Sequence, residues 1–196
     1  MSEQAPNKLV ILDRDGVINI DSDAYIKTVD EWVPIPGSID ALARLSKAGY
    51  LLAVASNQSG LARGYFTAID LANMHNYMNA LVEDAGGTID AVCYCPHGPD
   101  DGCSCRKPLP GLLDQIEEQL GVEVRNAWYV GDTEKDIDLA LSRSCRPVLV
   151  RTGKGAVCER ALDPAKLKAV NVFDDLAEAT DFILARDTAG HMAAAT

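Results

Sequence analysis

Lys8-Leu-Val-Ile-Leu-Asp-Arg-Asp-Gly16 is the stretch that decides the architecture of this chain. Its apolar residues follow one another without polar alternation. That is the pattern of a strand buried on both faces, as in a parallel sheet covered by helices. The run ends in two carboxylates two residues apart, Asp13 and Asp15, and Gly16 permits a turn directly after them. Both carboxylates can face one site where the chain leaves the sheet. An isolated acidic turn fits a solvated loop equally well, so its meaning depends on what the remaining sequence brings beside it.

Working outward, similar runs at 51–56, 91–95, 127–130 and 147–150 read as further buried strands, with a sixth at 169–173. Helical patterns lie between them. Pro36 to Lys47 carries Ile39, Leu42, Ala43 and Leu45 and ends at Gly49. Thr67 is placed to cap the next helix, with Asp70 in its first turn and Leu71, Met74, Met78, Leu81 and Val82 on one stripe. Pro110 opens a third, 134–143 forms a fourth and 175–185 a last one. Strand–helix alternation of this kind predicts a three-layer α/β/α, Rossmann-like fold with a mainly parallel sheet. A single domain over 1–196 is expected, with a core at about 8–185, a frayed polar tail at 187–196 and no room for a large cap domain. The segment Asp15 to Val33 is long and polar for a strand–helix connection. It leaves the first strand where open α/β sheets bind their ligands.

The 196 residues are 47% hydrophobic and carry a net charge of -11. No basic patch of the kind that reads a phosphate backbone is visible, so nucleic acid is not an expected partner. No run approaches the roughly 18 to 20 apolar residues of a membrane span. The polar N-terminus, Met1 to Lys8, has no signal-peptide core, and a cytoplasmic, monomeric protein is expected.

Three more signals fall at strand ends. Ser56-Asn57-Gln58-Ser59-Gly60 follows the second strand and offers a hydroxyl and backbone N–H groups that suit a phosphate. Arg106-Lys107-Pro108 precedes the third helix, and Gly131-Asp132-Thr133-Glu134-Lys135-Asp136 follows the fourth strand. Each is weak alone. Together with Asp13 and Asp15 they converge on one edge of one sheet.

In this order, DxDG, S-N-Q, a lysine before a helix and GDxxxD resemble the haloacid dehalogenase superfamily of phosphatases. The longer strings at 12–19, 56–64, 95–97, 103–108 and 150–153 resemble its branch acting on heptose bisphosphates, a likeness that extends over about 8–185. The resemblance implies a Mg²⁺-dependent phosphatase of a small phosphorylated sugar. Asp13 would be the nucleophile and Asp15 the acid and base, protonated near neutral pH at the start of the cycle. Asp13, Asp132 and the backbone carbonyl of Asp15 would hold Mg²⁺. Ser56 and Lys107 would bind the transferring phosphoryl group, and Asp136 would stand behind the metal ligands. The substrate contacts implied are Asp21, Tyr25, Asn57, Gln58, Ser59 and Arg106. Histidinol phosphate is the alternative substrate. A non-catalytic, zinc-stabilised binding module is the alternative of another class.

Four of the six cysteines crowd into 93–105. Cys95, His97, Cys103 and Cys105 form C-x-H…C-x-C, a set that suits tetrahedral Zn²⁺, with reduced thiols as the competing reading. The resemblance makes the zinc structural. Cys93 is a possible substitute ligand, whereas His75 and His191 are expected at the surface without a role.

Overall fold

A computed structural model describes residues 8–193. The expected polar segment 1–7 and the last residues of the tail, 194–196, lie outside that range. Six strands form one sheet: β1 (Leu9–Leu12), β2 (Leu51–Asn57), β3 (Ala91–Cys95), β4 (Trp128–Gly131), β5 (Arg146–Val150) and β6 (Asn171–Phe173). All neighbours pair in parallel, in the order β3-β2-β1-β4-β5-β6. The order reverses between β1 and β4, so a crevice opens at their C-terminal ends.

The period-two geometry of β1 and its neighbours splits the core in two. Val10, Leu12, Leu52, Val54, Trp128 and Val130 face α1 (Ser38–Lys47), α2 (Ala68–Asp84) and α7 (Leu176–Ala193). Leu9, Ile11, Ala53, Ala55 and Tyr129 face α3 (Gly111–Leu120) and α4 (Glu134–Ser142). This double coverage is why the strands read as continuous apolar runs.

Local chemistry sets the helix starts. Thr67 caps α2 as expected, its Oγ1 accepting from Asp70 N at 3.2 Å while its own N–H donates to Asp70 Oδ2 at 2.8 Å. Pro110 is the cap of α3 instead of its first residue. Two short helices, α5 (Gly155–Ala161) and α6 (Pro164–Leu167), were not legible, because neither spans enough turns to show a period. The long segment after β1 contains a 3-10 turn, Val29–Glu31. Residues 187–193 continue α7 where a frayed tail was expected. Among the described residues no helix is long and apolar enough to cross a membrane.

Met78 of α2 is fully buried against the sheet. Met78→Ala is expected to cost about 2–5 kcal/mol, read as a lower urea midpoint with an unchanged slope.

Candidate active site

The crevice at the switch point is a cavity of about 350 Å³. Asp13, Asp15, Asp21, Tyr25, Ser56, Asn57, Gln58, Ser59, Arg106, Lys107 and Asp132, all singled out from the sequence, line it. Four strand ends deliver them. Asp13 follows β1, its N–H donating to Val130 O of β4 at 2.9 Å. Ser56 and Asn57 end β2, Arg106 and Lys107 lie between β3 and α3, and Asp132 follows β4.

Lys107 is the hub. It is 3% exposed, and its Nζ donates to Ala55 O at 2.8 Å and to Asp136 Oδ1 at 2.7 Å, and meets Asp13 Oδ2 at 2.8 Å. Burial works against the ammonium, but Asp13 and Asp136 outweigh it and hold the proton well above the ordinary lysine range. Asn57 fixes the same residue from the backbone side, its Oδ1 accepting from Lys107 N at 3.0 Å. Asp136 is further pinned by Thr133, whose Oγ1 donates to Asp136 Oδ2 at 2.6 Å.

The carboxylates exceed the cation that serves them. Oxygens of Asp13, Asp132 and Asp136 lie within 4.8 Å of one another. Burial pushes Asp13 up to about 7 against the pull of Lys107, with Asp136 and Asp15 repelling its charge. Burial and the neighbouring Asp13 push Asp132 up to about 8. Three carboxylates around one ammonium are short of positive charge, and a divalent cation with oxygen ligands fits that deficit. The backbone makes room for Asp132. A Cβ at Gly16 (φ +83°) would come within 2.2 Å of Asp132 Oδ2, and one at Gly153 would do the same. Lys154 N donates to that oxygen at 2.8 Å.

Asp15 sits differently from what its expected role requires. Arg14 Nη2 donates to both of its oxygens at 2.8 Å, Asn19 Nδ2 to Oδ1 at 2.9 Å and Gln58 Nε2 to Oδ2 at 2.9 Å. Burial would raise its pKa, yet the Arg14 charge and these hydrogen bonds outweigh it and hold the carboxyl below the usual range. The expectation of a proton on Asp15 near neutral pH therefore does not describe this arrangement. Asn19 gave no signal in the sequence, because a single amide four residues after an acid has many innocent readings.

Other residues also depart from expectation. The amide of Gln58 is committed to Asp15, to Ser56 Oγ at 2.8 Å and to Arg14, so it braces the site from within. His75 is buried instead of exposed, its Nε2 3.4 Å from Arg14 Nη1. Lys135 and Lys154 line the cavity unannounced, and Lys154 Nζ lies 3.0 Å from Asp21 and 3.3 Å from Asp23. A lone lysine carries no mark of its purpose, and these contacts exist only after folding. Tyr25 takes a positive φ of 66° and packs on Tyr65 with ring centroids 5.0 Å apart.

Beside the cavity, Cys95, His97, Cys103 and Cys105 converge. Cys95 Sγ lies 3.6 Å from His97 Nδ1 and 3.6 Å from Cys103 Sγ, and His97 Nδ1 lies 3.3 Å from Cys105 Sγ. Ligands at about 2.3 Å from a tetrahedral ion stand about 3.5–3.8 Å apart, so the set fits Zn²⁺. Cys93 is turned to Gln119 Oε1 at 3.5 Å and is not one of the four residues that converge. Arg106 Nη1 donates to His97 O at 3.2 Å, which ties a cavity residue to this loop.

A carboxylate nucleophile candidate, a buried lysine and a metal-ready acidic cluster at the C-terminal edge of a parallel sheet define a phosphohydrolase of the haloacid dehalogenase type. Residues 104–179 match the HAD-hydrolase-like family model. The chain is 56% identical over 170 residues to the D-glycero-beta-D-manno-heptose-1,7-bisphosphate 7-phosphatase of Pseudomonas putida, covering 87% of this chain and 95% of that protein. It is 54% identical to the Pseudomonas aeruginosa protein of the same name, over 90% of this chain and 97% of that one. A crystal structure of D,D-heptose 1,7-bisphosphate phosphatase from B. bronchiseptica, complexed with magnesium and phosphate, superimposes with a TM-score of 0.85 at 43% identity. It covers 91% of this chain and 98% of its own. The chain belongs to this family of heptose-bisphosphate phosphatases, phosphoric monoester hydrolases of the haloacid dehalogenase superfamily.

Asp136→Ala removes one of the two anions that hold Lys107. It is expected to destabilise the protein by about 3 kcal/mol, the low end for breaking a buried ion pair because Asp13 still faces the ammonium. Chemical denaturation reads that loss.

Proposed function

We propose that the protein removes the 7-phosphate of D-glycero-beta-D-manno-heptose 1,7-bisphosphate, taking the β anomer. The observation that carries this reading is the convergence of Asp13, Asp15, Ser56, Lys107 and Asp132 on one cavity. The identity to the Pseudomonas enzymes over most of the chain supports the choice of sugar.

In this mechanism an Asp13 oxygen attacks phosphorus, the bond to the sugar oxygen breaks, and Asp15, carrying a proton once the anionic phosphate lies beside it, gives that proton to the sugar oxygen. Water then attacks the aspartyl-phosphate and Asp15 takes its proton back, releasing phosphate and restoring Asp13. Lys107 and Ser56 stabilise charge on the phosphoryl oxygens. Asp13, Asp132 and the Asp15 carbonyl would hold Mg²⁺, which supplies further positive charge there.

A second phosphate would meet cations in the same cavity. Arg106 and Lys135 line it, while Lys154 is paired with Asp21 and Asp23 of the 21–25 loop. The first two, in no ion pair among the described residues, favour a bisphosphate over a neutral or cationic alcohol phosphate. Asp21, Tyr25 and Ser59 would meet the sugar. Zn²⁺ on Cys95, His97, Cys103 and Cys105 would hold the loop that carries Arg106 and Lys107. The protein would act on a small phosphorylated sugar as a cytoplasmic monomer with no membrane partner, and its net charge of -11 accords with the absence of a nucleic-acid partner.

Two measurements test the reading. Mg²⁺-dependent phosphate release is expected from the β-heptose bisphosphate, with histidinol phosphate turned over far more slowly. Asp13→Asn abolishes the release, and Asp15→Asn lowers it by roughly 10²–10⁴-fold. A clear preference for histidinol phosphate would overturn the substrate assignment. For the zinc loop, elemental analysis is expected to find one zinc per chain, and Cys103→Ala to lose it. Turnover in that variant falls without vanishing, because no zinc ligand touches the reacting phosphate.

A further inference from the structure

The backbone of the site leaves one buried group without a task in the mechanism. Arg14 stands between the two catalytic aspartates in sequence, yet its side chain is 1% exposed and turned inward. A buried guanidinium must place its N–H groups on acceptors or lose their hydration without return. Nε and Nη2 find Asp15, at 3.1 Å and 2.8 Å. Nη2 also reaches Gln58 Oε1 at 3.3 Å. For Nη1 the acceptor is His75 Nε2, 3.4 Å away on α2.

His75 is suited to accept. Burial, aided by the Arg14 charge, pulls its pKa down to about 4, so the ring is neutral at physiological pH. With Nε2 accepting, the ring proton resides on Nδ1. Its orientation is set from outside the site, since the ring packs on Tyr94 of β3 with centroids 5.7 Å apart. The chain of contacts therefore runs from α2 through His75 and Arg14 to Asp15, and closes through Gln58 onto Ser56.

We propose that His75 is a positioning residue for proton transfer: its Nε2 fixes the Arg14 guanidinium, and the guanidinium fixes the direction of the Asp15 carboxyl. This rests on the phosphatase reading of the site. A proton donor works only when held within hydrogen-bond reach of the leaving oxygen, so loss of the anchor weakens donation while leaving the nucleophile in place.

The test compares two leaving groups on one protein sample. A sugar phosphate leaves as an alkoxide and needs the proton, whereas p-nitrophenyl phosphate leaves as a stabilised phenolate and does not. His75→Asn, whose amide ends short of Arg14, is expected to lower kcat/KM on the sugar phosphate at least about tenfold, a part of the roughly 10²–10⁴-fold that positioned proton transfer contributes. Both substrates pass through the same aspartyl-phosphate, whose hydrolysis also uses Asp15, but kcat/KM reports only the steps up to phosphoryl transfer onto Asp13, and on p-nitrophenyl phosphate it stays near wild type. His75→Gln, which restores an acceptor at similar reach, recovers the wild-type ratio of the two rates. The ratio does not depend on the folded fraction, so partial misfolding of a variant leaves the comparison intact. Equal loss of kcat/KM on both substrates, or no loss on either, would overturn the proposal. Wild-type enzyme that ignores the heptose bisphosphate but hydrolyses another alkyl phosphate would defeat the substrate assignment alone, and the ratio would then be measured on that phosphate.

Discussion

One ammonium group organises this site. Lys107 Nζ joins a carbonyl of β2, a carboxylate following β1 and a carboxylate on α4 through contacts of 2.7–2.8 Å. A bare lysine in such a place would lose its proton or refuse burial. With two anions beside it the charge becomes the reason those anions can be buried in turn. The dependence is mutual: Asp13 is displaced toward the protonated form by desolvation, and Lys107 is what opposes this from within the protein. Everything else in the site is arranged around that balance.

The sheet makes the balance possible. In the order β3-β2-β1-β4-β5-β6 the ends of β1 and β4 are neighbours although more than a hundred residues separate them in sequence. Asp13 and Asp132 thus meet at a switch point, where diverging connections leave a crevice. The approach is close enough to require glycine on both sides. Gly16 and Gly153 each pass so near Asp132 Oδ2 that any side chain would displace it. The glycine turn after the first strand is therefore part of the metal-ready carboxylate cluster as much as of the fold.

This explains which features could be read from the chain alone. The strands and the long helices were legible because double-sided burial and helical stripes leave periodic marks. Thr67 was legible as a cap because its chemistry is local. Asp13, Lys107 and Asp132 stood at predicted strand ends, where convergence could be inferred from topology. Arg14, Asn19, His75, Lys135 and Lys154 were not legible, since each acquires its significance from a partner distant in sequence or from a cavity that exists only after folding. Gln58, expected as a substrate contact, does line the cavity, and only its further partners were hidden. Position beside a phosphate loop was visible, but the direction of its amide into the Arg14–Asp15–Ser56 network was not.

That network bears on a conflict inherent in the chemistry. The proposed mechanism asks one carboxyl to donate a proton in the first half of the cycle and to accept one in the second. The arrangement here favours the acceptor, since Arg14, Asn19 and Gln58 all donate to Asp15. Arg14 alone carries a formal charge, and it is shared with Gln58 and His75 instead of belonging to Asp15 only. An anionic phosphate entering beside Asp15 acts in the opposite sense, because a like charge at short range disfavours ionisation. The phosphoryl charge arrives with the substrate and favours the proton that the first half needs, whereas the guanidinium is permanent and stabilises the carboxylate left once that proton has gone to the sugar oxygen. In the proposed mechanism a fixed cation that holds the carboxyl near its ionised form, set against a bound anion that opposes it, would give a single residue access to both protonation states without any movement of the sheet.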